Sequence, residues 1–210
     1  MNTAILDFSA QATQEQIVRT AAAVRARGVN VDILDTGADA LARIKQLIPA
    51  GATLSSGASV TLRQIGLEDL LISKQHPWVN LKEAALAETD KARQMELRRQ
   101  SILAQYFLGS VHAIAETGEI VVASATGSQL APYAYASPNV IWVAGAQKIT
   151  PTLEDAIRRV REYNLPREDQ RMKEAGAPGS TIGKLLIFER EAPSLNRHVT
   201  LLLVKAVLGI

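Results

Sequence analysis

Residues 106–157 read YFLGSVHAIAETGEIVVASATGSQLAPYAYASPNVIWVAGAQKITPTLEDAI. Three short apolar runs in this stretch end in glycine-bearing loops, the pattern of strands that stop where a ligand can enter. VHAIA (111–115) and EIVVA (119–123) flank Glu116, Thr117 and Gly118, in a turn where glycine can take the positive φ that such turns often need. NVIWVAG (139–145) is almost wholly apolar, as a strand covered on both faces should be, and it breaks at Gly145. In the following AQKITPTLEDAIRRV, Thr150 is the expected helix N-cap and Pro151 the first helical residue, where a missing N–H costs nothing.

Outward from this centre the chain alternates. TQEQIVRTAAAVRARG (13–28) predicts a helix closed by Gly28, VNVDIL (29–34) a strand, and GADALARIKQLIP (37–49) a second helix stopped at Pro49. ATLSSGASVTLRQIG (52–66) continues with a short strand, a Ser/Gly loop and a helix start at Thr61, with Gln64 at capping-box spacing. Residues 81–107 lack Gly and Pro and predict one uninterrupted helix of about 40 Å. Its Ala85, Ala92, Met95, Ile102, Leu103 and Tyr106 fall near one face, which suggests a homodimer contact beside the simpler role of wrapping the sheet. REYNLPREDQRMKEAG (161–176) reads as a charged, solvated helix-turn segment interrupted at Pro166, and KLLIFERE and HVTLLLVKAVLGI as two closing strands. The fold class predicted is α/β, a three-layer α/β/α arrangement around a mixed, mainly parallel, Rossmann-like sheet.

Composition narrows the function. The 210 residues fit a single domain (1–210), 47% of them hydrophobic. Lys plus Arg exceed Asp plus Glu by 23 to 21, which gives no reason to expect a nucleic-acid partner. No segment approaches the roughly 20 apolar residues that span a bilayer, and the N-terminus lacks a basic start followed by an apolar core, so a cytoplasmic location is expected. With no Cys the chain can form no disulfide and ligate no zinc or iron-sulfur cluster through thiolates. Any cofactor is unknown, and His76, His112 and His198 show no metal-like spacing and are expected to pack or to face solvent.

Several residues carry candidate chemistry. Ser55, Ser56, Gly57, Ser59 and Thr61 lie between a strand and a helix start, where free backbone N–H groups favour a phosphate or carboxylate; Ser59 or Thr61 capping the helix explains the same residues without a ligand. Lys148 follows Gly145 at the carboxyl end of a buried strand, the edge where open α/β sheets bind ligands. Gly109, Ser110, Gly127 and Ser128 add backbone donors to that pocket or serve as turn residues, and Thr117, Gly118 and Gly145 are further candidate ligand-binding residues. Glu116 is the candidate catalytic group, as a nucleophile or as a general base, and equally an ordinary turn carboxylate. GSTIGK (179–184) is not a phosphate loop, because Pro178 and Leu185 stand where that motif needs glycine and Ser or Thr, and a strand follows it.

Together, LSSGASVTLRQIGLEDLL (54–71), YFLGSVHAIAETGEIV (106–121), VIWVAGAQKITPTLEDAIRRVR (140–161) and LLLVKAVLG (201–209) resemble the LUD (lactate utilisation) domain family over nearly the whole chain. The resemblance implies the fold of ribose-5-phosphate isomerase, glucosamine-6-phosphate deaminase and the CoA transferases. It also implies an accessory or ligand-binding role in the use of a small organic acid such as L-lactate, beside iron-sulfur redox subunits. The alternative it offers is an acyl-CoA transferase-like or sugar-phosphate-isomerase-like enzyme using Glu116, which looks like the glutamate of class I CoA transferases. The chain departs from many relatives in lacking a cysteine cluster near AGAPGSTIGKLLIFE (175–189), and Gln147 stands where they carry asparagine.

Overall fold

A computed structural model describes residues 6–210. Six parallel strands form the main sheet in the spatial order β1 (Asn30–Leu34), β10 (His198–Val204), β7 (Asn139–Gly145), β4 (Tyr106–Gly109), β2 (Thr53–Ser56) and β3 (Val79–Asn80). A second sheet runs β8 (Ile149–Thr150), β5 (Ala113–Ala115), β6 (Ile120–Ser124) and β9 (Lys184–Phe188), with β5 antiparallel to β6. The fold is the α/β class expected, a mainly parallel sheet covered on both faces. The apolar run at β7 shows why: Val140, Trp142 and Ala144 point to one core and Ile141 and Val143 to the other. In β10, Leu201 and Leu203 join the first core, and Leu202 and Val204 the second.

Helices α2 (Gly37–Leu47), α3 (Val60–Gln64) and α4 (Leu67–Ile72) cover one face. On the other lie α1 (Gln14–Ala26) and the inner side of the second sheet, with Ile114, Ile120 and Val122 facing in. The outer side of that sheet, Ala113, Val121 and Ala123, buries Ala156 of α7 (Leu153–Arg158) and Val160. Both α1 and α2 begin with a reciprocal capping box, Thr13 with Gln16 and Thr36 with Asp39.

Four local expectations are corrected. The stretch 81–107 is not one helix: α5 (Leu81–Ala87) ends in an extended break, and α6 (Lys91–Ser101) restarts behind Asp90, whose carboxylate accepts the Arg93 N–H at 2.7 Å. Competing side-chain acceptors, with Glu88 also taking the N–H groups of Thr89 and Asp90, outweigh helix propensity there. The long apolar face offered for a homodimer contact goes with it. The cap of α3 is Ser59, not Thr61. The cap of α7 is Thr152, not Thr150, because Ile149 and Thr150 first pair with Ile114 and Ala115 in the second sheet. The segment 161–176 is charged and largely solvated as expected, but it is not interrupted at Pro166: a π turn (159–164), which buries Arg159 and Asn164, passes directly into α8 (Leu165–Glu174). Pro166, with no N–H to give, stands where that turn hands over to α8.

Candidate functional site

The carboxyl ends of β2, β4 and β7, neighbours in the main sheet, open into a cleft of about 710 Å³. Each delivers a polar residue to its floor: Ser56 and its loop from β2, Ser110 from β4, and Lys148 from the 3-10 turn after β7. Lys148 is 3% exposed. Its ammonium donates to Thr61 Oγ1 at 3.1 Å, Ser110 Oγ at 3.0 Å and the Val111 carbonyl at 3.1 Å. Thr61 is free for this because Ser59 does the capping, accepting the Leu62 N–H at 3.3 Å. Ser110 in turn donates to the Val143 carbonyl at 2.7 Å.

A second cation lies close by. Arg159 is fully buried, and its guanidinium donates to the carbonyls of His112 and Phe8 and to Asn164 Oδ1, stacking on Tyr163 at 4.8 Å. Among the described residues neither Lys148 nor Arg159 pairs with an Asp or Glu side chain, and Arg159 also reaches the Ile210 oxygen at 3.5 Å. Burial pushes Lys148 down to about 7, assisted by Arg159, and burial likewise lowers Arg159 to about 10. Arg197, less enclosed, makes the contrast: it is paired with Glu191 at 3.2 Å while it ties down the carbonyls of Pro132, Tyr133 and Ser137.

His112 was expected to pack or to face solvent. It lines the cleft, and burial with the charges of Lys148 and Arg159 lowers it to about 3, so the ring is neutral in the physiological range. Its Nδ1 accepts the Ala123 N–H at 3.2 Å, which puts the single ring proton on Nε2 as a donor. Tyr133, Gln129 and Asn164 add to the polar lining. No pattern in the sequence marks His112, Arg159 or Asn164. A lone histidine beside a strand and a charged helix carry no spacing signal.

Of the residues expected at the site, Ser55, Ser56, Gly57, Ser59, Thr61, Ser110, Ser128 and Lys148 line the cleft. Six do not: Gly109, Glu116, Thr117, Gly118, Gly127 and Gly145. Gly145 packs against the segment after β10, which Gln147 straps through paired hydrogen bonds to the Leu208 backbone. Gly127 abuts the stem of Lys184. Glu116 turns away to α1, where its carboxylate accepts from Gln16 at 2.9 Å and from Arg19 at 2.9 Å. Gly118, at φ +99°, presses on the α1 backbone at Ala23, a place open to glycine alone. This turn docks the β5–β6 hairpin on the helix. Glu116→Gln is accordingly expected to lower stability by about 1 kcal/mol or less, Arg19 being half exposed, and to leave anion-induced thermal shifts unchanged; loss of those shifts would bring Glu116 back into the site.

Gly109 acts through packing. A Cβ there would lie 1.5 Å from the Tyr133 hydroxyl. Gly109→Ala is expected to destabilise by about 1–3 kcal/mol, and Tyr133→Phe in the same chain to recover part of it, as urea unfolding would show.

Comparison with known proteins fits this architecture. The LUD-domain family model matches residues 17–194. The chain belongs to the LUD-domain family. The LUD fold is also the one shared with a DUF162 family protein from Deinococcus radiodurans, whose crystal structure superposes with a TM-score of 0.50 at 11% identity, covering 95% of this chain and 98% of that one. eIF2B beta from Chaetomium thermophilum is a more distant likeness, with a TM-score of 0.37 and 17% identity over 56% of this chain and 44% of its own. No curated protein matches the chain. Among the described residues of this LUD protein no helix is long and apolar enough to cross a membrane, and no group of three or more His, Asp or Glu side chains is arranged to hold a metal.

Proposed function

We propose that this LUD-domain protein binds a small anionic metabolite, a carboxylate or a phosphate ester, with its charged group against Lys148. One observation carries the reading: a buried ammonium at the floor of an open cleft, reinforced by Arg159 and lacking an Asp or Glu partner among the described residues. An uncompensated buried cation costs several kcal/mol, a cost that an entering anion would relieve. The His112 Nε2–H and the hydroxyls of Ser56 and Ser59 supply donors of the kind that orient such a group. Helix α3, five residues long, adds little dipole, so the side chains carry the recognition. The role in use of a small organic acid, beside redox subunits, rests on the family resemblance.

Thermal unfolding against hydroxy acids, sugar phosphates, nucleotides and CoA thioesters tests the proposal. A ligand at a hundred times its Kd adds about 2.7 kcal/mol, roughly 5–10 °C for a chain of this size. One chemical class should give that shift in the wild type and not in Lys148→Met. Absence of a shift with every class would refute anion binding.

A further inference from the structure

The cleft is larger than a lactate-sized anion needs. At about 710 Å³ it falls within the range that encloses a drug-sized molecule. Its mouth is also charged. Arg63 of α3, Lys82 of α5 and Arg98 of α6 line it from three different helices, and none of them forms an ion pair among the described residues. Arg171, on the α8 wall, is by contrast held by both carboxylate oxygens of Glu168, at 2.7 and 2.6 Å. The remaining acid of the mouth, Glu68, acts on both Lys82 and Arg171, so a single carboxylate is shared across the cleft. Desolvation lowers Lys82 from its ordinary value, and Arg98 acts in the same direction. The rest of the wall is mixed, with the apolar side chains of Ala85, Ile102, Phe107 and Leu165 beside the polar ones of Ser101 and Thr181.

We propose that the ligand is two-headed: an extended molecule with one anionic group at Lys148 and a second, separated by an apolar segment, at Lys82, Arg63 and Arg98. This rests on the reading that Lys148 receives an anion. A single small anion would satisfy the floor and leave the apolar side chains of the wall wet and the mouth cations unmatched. A bis-anion of the right length engages both charged ends, and its spacer covers the wall between. Exposed Arg63 and Arg98 sit where an incoming ligand meets them first, and buried Lys148 where its far end stops. The mouth therefore selects for length and the floor for charge.

Calorimetric titration with straight-chain monocarboxylates and α,ω-dicarboxylates of four to twelve carbons, and with the matching alkyl mono- and bisphosphates, tests this. The two-headed compound should bind at least tenfold tighter than its one-headed counterpart once a threshold length is reached. The double variant Lys82→Gln/Arg98→Gln should remove that increment alone, and Lys148→Met should remove binding of both kinds. These mouth residues are half-buried or exposed, and a thermal melt checks that the double variant is folded. Equal affinity of one- and two-headed compounds at every length, or equal loss for both in the double variant, overturns the two-headed ligand while leaving Lys148-dependent anion binding in place. No binding by any compound overturns both.

Discussion

Lys148→Met should make the protein more stable at pH 7 while abolishing its response to anions. In the native state Lys148 sits near 7 against an ordinary 10.5, because burial disfavours its charge. Each unit of such a shift corresponds to about 1.4 kcal/mol, so the protonated lysine carries a penalty of several kcal/mol below pH 7. Methionine fills similar volume with no charge, and Ser110 keeps its own bond to Val143. A gain of about 1–3 kcal/mol is expected, as when buried charges elsewhere are replaced by apolar groups. Between pH 7 and about 10 the unfolded chain binds the proton that the native chain has released, so wild-type stability rises with pH through this window. The advantage of Lys148→Met should be full below pH 7 and vanish toward pH 10. Urea unfolding of both proteins at pH 6, 8 and 9.5 measures it. Parallel curves would mean that Lys148 is not held neutral by its surroundings.

The same linkage acts on ligand binding with opposite sign. An anion beside Lys148 favours the charged amine, so binding takes up a proton above pH 7. Affinity for a carboxylate ligand should be level at pH 6–7 and then fall by up to tenfold per pH unit. His112 stays neutral throughout this range and contributes no slope. A constant Kd from pH 6 to 9 would place the bound anion away from Lys148.

Trp142→Ala is expected to be the most damaging single change, a loss of about 3–5 kcal/mol. The indole is fully buried in β7, edge-on to Tyr133 at 5.4 Å and to Phe188 at 5.1 Å, and Tyr133 continues the row to Phe107 at 5.6 Å. The row joins the main sheet to the second sheet beneath the cleft, so the hole would open between two layers. Trp142→Phe should cost less than half as much. It keeps most of the packing and removes an indole N–H that has no partner among the described residues. Equal losses in the two variants would assign the indole N–H a hidden partner.

The departures from expectation are local and share one cause. Thr150 reads as a cap because a proline follows it, yet the chain spends two more residues pairing with β5 before α7 begins at Leu153. The break at Asp90 falls within a run without Gly or Pro, where only a side chain able to cap marks the new helix start. In each case a side chain or a strand took up a backbone group that propensity alone would have left to a helix.

Apolar periodicity by itself determined the α/β class, the buried strand β7, the turn at Gly118 and the places where strands end, and so put the Ser55 loop, Ser110 and Lys148 at one edge of the sheet. That information is local: alternation tells which faces are covered, and glycine tells where a chain turns. The tertiary structure alone decided that Lys148 meets Thr61, 87 positions away, and Ser110, 38 away, that Arg159 is buried next to it, and that Glu116 belongs to α1. A charge without a partner is a relation among residues distant along the chain. No window of sequence contains it, because the missing partner is missing only once the chain has folded.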